Sequence, residues 1–323
     1  MTAPWITYRP ELKVLDCTIR DGGLINDHQF DDDFVRAVYQ TCVAAGIDYF
    51  EIGYRASKKL FSRERFGAWK FCDEEDIRRI VGDNPTPVKI AVMVDAGKSD
   101  WRTDILAKRD SVVDMVRVAF YAHQVSEAVE MIHDAHEKGY EVSANLMAVS
   151  TVKEQEVEQV LEVIAQTPVN VLVVVDSYGA MYCEQVEILV KKYLGYALPK
   201  GMQVGMHAHN NQQLAFANTI EAIIHGANRV DASMGGIGRG AGNCAMELLI
   251  GFLRNPKFRV RPIYKFLQEY MLPLSRKLEW GPYPQYILTG QWNEHPRSAI
   301  AARAGDKRDD YVDFYDKLVV DIL

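Results

Sequence analysis

No run of roughly 18 apolar residues occurs anywhere in the chain, which excludes a helix long and apolar enough to span a bilayer. The opening residues, MTAPWITYRPELKV, have no basic region leading into an apolar stretch, so no secretory leader is expected. Cysteine is sparse: the five thiols, Cys17, Cys42, Cys72, Cys183 and Cys244, include no C-x-x-C pair. A disulfide framework and a thiolate zinc site are thereby excluded, and a reducing cytoplasm is the expected compartment. Positive charge is also lacking, with 37 Lys and Arg against 44 Asp and Glu and a net charge of −7. That balance argues against a nucleic-acid binder, which needs clustered cations to neutralise phosphates. There is no low-complexity tract, and the 48% hydrophobic, 25% charged composition is that of a globular chain.

What is present is a rhythm. Eight short apolar runs, at 13–21, 48–54, 88–96, 113–120, 141–149, 169–177, 203–210 and 229–234, are rich in β-branched residues and bounded by polar turns. Amphipathic stretches with helical spacing separate most of them. In DDFVRAVYQTCVAAG, residues Phe34, Val38, Cys42 and Val43 fall near one face and Gly46 closes the helix. The connection DAGKSDWRTDILAKRDS is the least regular. Near-continuous apolar strands alternating with helices imply a parallel sheet covered on both faces. Eight such units within about 250 residues predict a (β/α)₈ TIM barrel, in the α/β class, with an open doubly wound sheet as the alternative. Residues 1–255 are expected to form the barrel. Residues 256–323, where the rhythm stops and prolines recur, are read as a helical extension packed on it.

In a parallel barrel the chemistry sits at the carboxyl ends of the strands, so the polar residues that end the apolar runs are the informative ones. They are Arg20 and Asp21, Tyr54, Arg117, Asn145, Asp176 and Ser177, His207, His209 and Asn210, and Asp231. His207 and His209 are two apart, so both imidazoles of a strand share one face. Together with a carboxylate from another strand they form a ligand set for a divalent ion with open positions. Asp21, read as the end of the first strand, is separated from them only by strand 8. It could equally be the turn residue of R-D-G. The stretch DASMGGIGRGAGN (231–243) comes at the end of the series with no acidic partner downstream, so it is not a dinucleotide fingerprint. His133 and His136 read as a solvated helix face, His225 as a helix C-terminal residue, and Cys244 as a small core residue.

The segments LDCTIRDGG, VDSYGAM and HAHNNQQLAFANTIEAIIHGANRVDASMGGIGRGAGN resemble the DRE-TIM metallolyase superfamily of HMGL-like enzymes over about residues 13–255. They are most similar to its 4-hydroxy-2-oxovalerate aldolase branch. The resemblance implies that Asp21, His207 and His209 bind Mn²⁺ or Mg²⁺, with Zn²⁺ an alternative and Asn243 a further ligand. It also implies that Arg20 stabilises an enolate. The implied substrate is a small 2-oxo acid, a 4-hydroxy-2-oxo acid cleaved to pyruvate, bound with help from Tyr54, Arg117, Asn145 and Ser177. A homo-oligomer and an aldehyde dehydrogenase partner belong to the same implication, although the tail after residue 255 shows no match.

Three departures stand against the pattern. Leu24 occupies the position of the aldolases' catalytic histidine. The glycine loop lacks the cysteine of the hydroxymethylglutaryl-CoA lyases, and Gly23 replaces the glutamate of the synthases. The proton acceptor is therefore open among His28, Tyr54, His295 and Tyr286, with Tyr286 preferred because a tyrosine of the aldolases' C-terminal extension reaches their site. An acyl-CoA condensing acyltransferase and a non-catalytic homologue are the competing readings.

Overall fold

The computed structural model describes residues 9–322. Its centre is a set of eight parallel strands: β1 (Lys13–Asp16), β2 (Tyr49–Tyr54), β3 (Lys89–Asp95), β4 (Met115–Phe120), β5 (Glu141–Leu146), β6 (Val171–Asp176), β7 (Gln203–Ala208) and β8 (Arg229–Ala232). They pair in sequence order and β8 returns to β1, so the barrel is closed and the open-sheet alternative falls.

The apolar runs are continuous because both faces of every strand are buried. One set of alternate residues, including Phe50, Ile52, Ile90, Val92, Val116, Val118, Leu172 and Val174, packs outward under the helices. The other set points into the barrel, where Leu15, Tyr49, Ala91, Met115, Val171 and Val173 fill the interior. Polar residues on the inward set therefore mark the places where the interior is chemical instead of packed.

Most of the expected helices form. Helix α2 (Asp32–Ala45) is capped by Asp31, whose Oδ1 accepts from the Phe34 amide at 2.8 Å, and ends at Gly46 in the left-handed conformation, φ 74°. Helices α5 (Val125–Glu137), α6 (Glu154–Ile164), α7 (Cys183–Ala197), α8 (Ala215–Ile224) and α9 (Met246–Leu253) follow their strands as the spacing requires.

Three differences from the sequence reading matter. The first strand stops at Asp16. Its carboxylate accepts from the Thr18 amide (3.1 Å) and hydroxyl (2.7 Å), and this local bonding starts a helical turn, α1 (Thr18–Gly22), that carries Arg20 and Asp21. Helix α3 (Glu74–Val81) fills the connection after β2, where apolar residues are too few to announce it; Ile77, Ile80 and Val81 are buried. The irregular third connection holds only the single turn α4 (Trp101–Asp104).

Beyond α9 the chain is helical: α10 (Val260–Phe266) runs through a π-helical turn, Leu267–Met271, into α11 (Leu272–Leu274), and α12 (Pro284–Gln291), α13 (Arg297–Ala304) and α14 (Tyr311–Ile322) follow. Ile263, Phe266 and Met271 join the main core. The last three helices gather round a separate apolar cluster, Tyr286, Ala299, Phe314 and Leu318, that rests on Ala241 of the glycine loop. Among the described residues, no helix is long and apolar enough to cross a membrane. The five cysteines are free.

Candidate metal centre and active site

At the carboxyl ends of β1 and β7, Asp21, His207 and His209 bring one ligand atom each within 4.8 Å of one another, all three side chains buried. His207 Nε2 lies 3.3 Å from Asp21 Oδ2 but out of line for a hydrogen bond, and His209 Nε2 lies 3.7 Å from the same oxygen. Asn243, paired with His209 across an isolated bridge, buries its Oδ1 without a hydrogen-bond partner among the described residues. Unpartnered buried atoms are rare and each needs a cause. Here His207 Nε2 and Asn243 Oδ1 are unpartnered beside the Asp21 carboxylate, and His209 Nε2 faces the same oxygen, which together make the donor set of a divalent-ion site.

The glycine loop is shaped to this approach. A Cβ at Gly238 would stand 2.4 Å from Asn243 Nδ2 and 3.2 Å from Asp21 Oδ1. Gly242 has φ 87°, and a Cβ there would meet the Gly236 carbonyl at 1.9 Å. Neither position tolerates a side chain without moving the loop that carries Asn243.

Behind the ligands runs a ladder of charge inside the barrel. Asp231 Oδ2 is 3.0 Å from His207 Nδ1 and accepts from Arg117 Nη2 at 2.5 Å. Arg117 Nη1 donates to Glu51 Oε2 (2.9 Å), which also accepts from Arg20 Nε (2.8 Å), and Arg20 Nη1 donates to Asp21 Oδ2 (2.7 Å). Three carboxylates thus meet two guanidiniums in a buried space, and a cation would restore the balance. The Asp231–His207 contact fixes the ring and its tautomer, the usual role of a carboxylate behind a metal-binding histidine. Burial works against charge on Asp21, yet Arg20, His209 and His207 hold it well below the usual carboxylate range. Burial opposes protonation of His207, but the facing carboxylates of Asp21 and Asp231 lift its pKa above the ordinary value. His209, buried and facing Arg239, is driven far below that value.

Above this lies a pocket bounded by Arg20, Leu24, Tyr54, Asp95, His207, His209, Tyr178, Arg239 and His295, with Met93, Ala119, Met147 and Val175 as its apolar wall. A larger cavity of ≈ 780 Å³ lies between the Gly235–Gly236 turn and residues 275–283, on the far side of Asn243 and away from the three clustered ligands. The smaller pocket is the one with the chemistry.

The HMGL-like family profile matches residues 11–268 of this fold, more than half the chain. The chain belongs to the HMGL-like family. The protein named 4-hydroxy-2-oxovalerate aldolase from Pelotomaculum thermopropionicum is 30% identical over 263 residues, 80% of this chain and 75% of that one. Oxaloacetate decarboxylase from Mycobacterium tuberculosis is 31% identical over 241 residues, 75% of this chain and 69% of that one. Among solved structures, the N-terminal domain of a candidate aldolase from Bacteroides vulgatus superposes with a TM-score of 0.78 at 27% identity, over 97% of this chain and 100% of that chain.

Within this HMGL-like site the sequence-predicted residues divide. Arg20, Tyr54, Arg117, Asn145, Ser177, His207 and His209 all line the pocket, and Asp21 and Asn243 lie behind it. Three of the substrate candidates are already engaged. Arg117 is held by Glu51 and Asp231. Asn145 accepts from Arg117 at 3.1 Å, and Ser177 Oγ accepts from the Ala148 amide at 2.8 Å.

Two catalytic candidates fall elsewhere. Tyr286 is buried among the last three helices, outside the pocket, because α12 turns its ring into the cluster on Ala241. His28 stands behind Tyr54, ring centroids 5.4 Å apart, and burial with help from Lys70 and Arg20 lowers its pKa to about 3. It does not line the pocket, and it holds too little basicity to take a proton near neutrality.

His295 does reach the pocket from the extension; burial, with Arg239 and Arg297, lowers its pKa to about 4. Sequence reasoning missed Glu51, Asp95 and Arg239. The one available signal for Glu51 was a lone acid inside the apolar run YFEIGY, and for Asp95 its place at the end of β3. Arg239 stands among the glycines of the loop, where nothing in the local sequence marks it as part of a pocket wall.

Proposed function

We propose that this chain is a divalent-metal-dependent aldolase that cleaves a 4-hydroxy-2-oxo acid to pyruvate and an aldehyde or ketone. The observation that carries the reading is the buried group Asp21, His207 and His209, with the unpartnered Asn243 Oδ1 beside it, directly beneath a pocket that Arg20 lines. Bound there, Mn²⁺ or Mg²⁺ would supply Lewis acidity at the 2-oxo oxygen.

The chain's own residues do the rest. Arg20 has two of its nitrogens fixed by Glu51 and Asp21 and keeps Nη2 buried without a partner. That free donor, held on a fixed guanidinium, can stabilise the negative charge that develops on the enolate oxygen with little reorganisation. When the C3–C4 bond breaks, its electron pair passes to the enolate. The C4 hydroxyl becomes a carbonyl and must lose its proton to a base in the pocket.

With Leu24 where the aldolases carry a histidine, Asp95 is the acceptor that the pocket supports best. It ends β3, and its Oδ1 is buried and accepts no hydrogen bond. Burial raises its pKa above the ordinary carboxylate value against the pull of Lys98, Lys70 and Arg20, which makes it a stronger base than an exposed carboxylate. Tyr54 is the opposite case, since burial pushes its phenol up and away from ionising near neutral pH. In this reading residues 1–255 are the catalytic barrel, and residues 256–323 are an extension that closes one side of the pocket through His295. The relatives are an aldolase and a decarboxylase, which disfavours acyl-CoA condensation.

The test is pyruvate release from a panel of 4-hydroxy-2-oxo acids by Mn²⁺-loaded enzyme, with metal content measured alongside. Asp21→Ala and His207→Ala should lose metal and activity together while keeping the helical circular-dichroism spectrum. Full metal content in either variant would overturn the ligand set, and no pyruvate from any member of the panel would overturn the aldolase.

A further inference from the structure

Arg239 is the one guanidinium of the pocket wall that makes no ion pair among the described residues; Arg20 and Arg117 are both held by carboxylates. Its backbone amide touches Asp21 Oδ1 at 3.3 Å, so its Cα is fixed beside a metal ligand. From there the side chain reaches across the pocket to the end of β6, where Nη2 donates to the Ser177 carbonyl at 2.6 Å. The guanidinium is thereby held a side-chain length from the metal centre, and its Nε is buried without a partner.

Opposite it stands His295, with Nε2 3.3 Å from Arg239 Nη1. The Arg297 amide hydrogen is shared between the His295 carbonyl (2.7 Å) and His295 Nδ1 (3.1 Å). A neutral imidazole that accepts at Nδ1 carries its hydrogen on Nε2. In that tautomer Arg239 Nη1 and His295 Nε2 are two N–H donors side by side, 3.3 Å apart, and an anion that accepts from both would satisfy them. Tyr178 fixes the ring edge to face, centroids 5.4 Å apart. Arg297, and Lys98 from its loose pair with Asp95 at 3.9 Å, add positive charge to the surroundings of His295. On a chain of net charge −7, this is a local cationic mouth.

We infer that Arg239 and His295 form a subsite for a second carboxylate, carried on the half of the substrate that departs from the enolate. The inference rests on the aldolase reading and narrows it. The substrate is a 4-hydroxy-2-oxo diacid, and cleavage releases pyruvate together with a second oxo acid in place of a simple aldehyde. The 2-oxo acid end lies over Asp21, His207 and His209, the carbon chain follows the apolar wall of Met93, Ala119, Met147 and Val175, and the far carboxylate meets the two adjacent donors.

Binding can be read without turnover. Isothermal titration of the Mn²⁺-loaded protein with 2-oxoglutarate and with 2-oxobutanoate, neither of which has a C4 hydroxyl to lose, should show the diacid bound at least about tenfold more tightly. That is the scale of one charge-assisted contact at a partly buried site. Arg239→Gln should bring the ratio of the two affinities close to one, and Arg239→Lys should retain part of the preference. Equal affinities in the parent protein, or an equal loss for both ligands in Arg239→Gln, would overturn the subsite. In the parallel assay, 4-hydroxy-2-oxoglutarate should exceed 4-hydroxy-2-oxovalerate in kcat/KM by a similar factor. A diacid preference in binding with no pyruvate from either compound would leave the subsite standing and remove the aldolase.

Discussion

A buried carboxylate oxygen that accepts no hydrogen bond is costly to keep, and in a pocket its retention points to use in place of packing. Asp95 is such a group, and on the aldolase reading it is the base of a pocket in which Leu24 can take no proton. Asp95→Asn keeps the shape and removes the base. The expected result is a fall in kcat of about 10²–10⁴-fold with metal content unchanged. Leu24 borders the same pocket, so Leu24→His in the Asp95→Asn background should recover part of the lost rate; full activity in the single variant would remove Asp95 from the mechanism. The same scale shows what the sequence could disclose. His207 and His209 were legible because i, i+2 spacing on a strand puts two imidazoles on one face. Glu51 and Arg239 were not, because their roles depend on partners far along the chain: Arg117 for the first, His295 and Ser177 for the second.

Among the elements, the strands were legible because burial on both faces writes itself as continuous apolar runs. Their ends were less so: a single Asp16–Thr18 bond ends β1 early and moves Arg20 and Asp21 onto a helical turn. The extension was the least legible, having no βα rhythm to fix which way its side chains point. Tyr286 is preferred there on family resemblance alone, and its ring packs in the cluster formed with Ala241, Ala299, Phe314 and Leu318. Its role separates into two variants. Tyr286→Phe should leave kcat at the parent value, because the hydroxyl faces no substrate. Tyr286→Ala should destabilise the protein by about 3–5 kcal/mol, read as a lower urea midpoint, because the vacated ring leaves a cavity under three helices. A selective loss of kcat in Tyr286→Phe would return the hydroxyl to the active site.

Across the whole molecule, the proposed metal centre sits at the seam where the barrel closes. Asp21 follows β1, His207 lies in β7, and Asn243 belongs to the loop after β8, so one ion would tie together the two ends of the cyclic sheet. The charge ladder behind it leaves three carboxylates, Asp21, Glu51 and Asp231, to Arg20 and Arg117. An ion that binds only the folded state must stabilise it by mass action, by about 2.7 kcal/mol when its free concentration is 100 times Kd. Addition of Mn²⁺ should therefore raise the urea midpoint of the parent protein, and a chelator should reverse the change. In Asp21→Ala the midpoint should no longer respond to Mn²⁺, because the carboxylate that faces both imidazoles is gone. A midpoint indifferent to Mn²⁺ in the parent chain would mean that the seam is closed by the protein alone and that the buried excess of negative charge is met by protons, with His207 the first group to hold one.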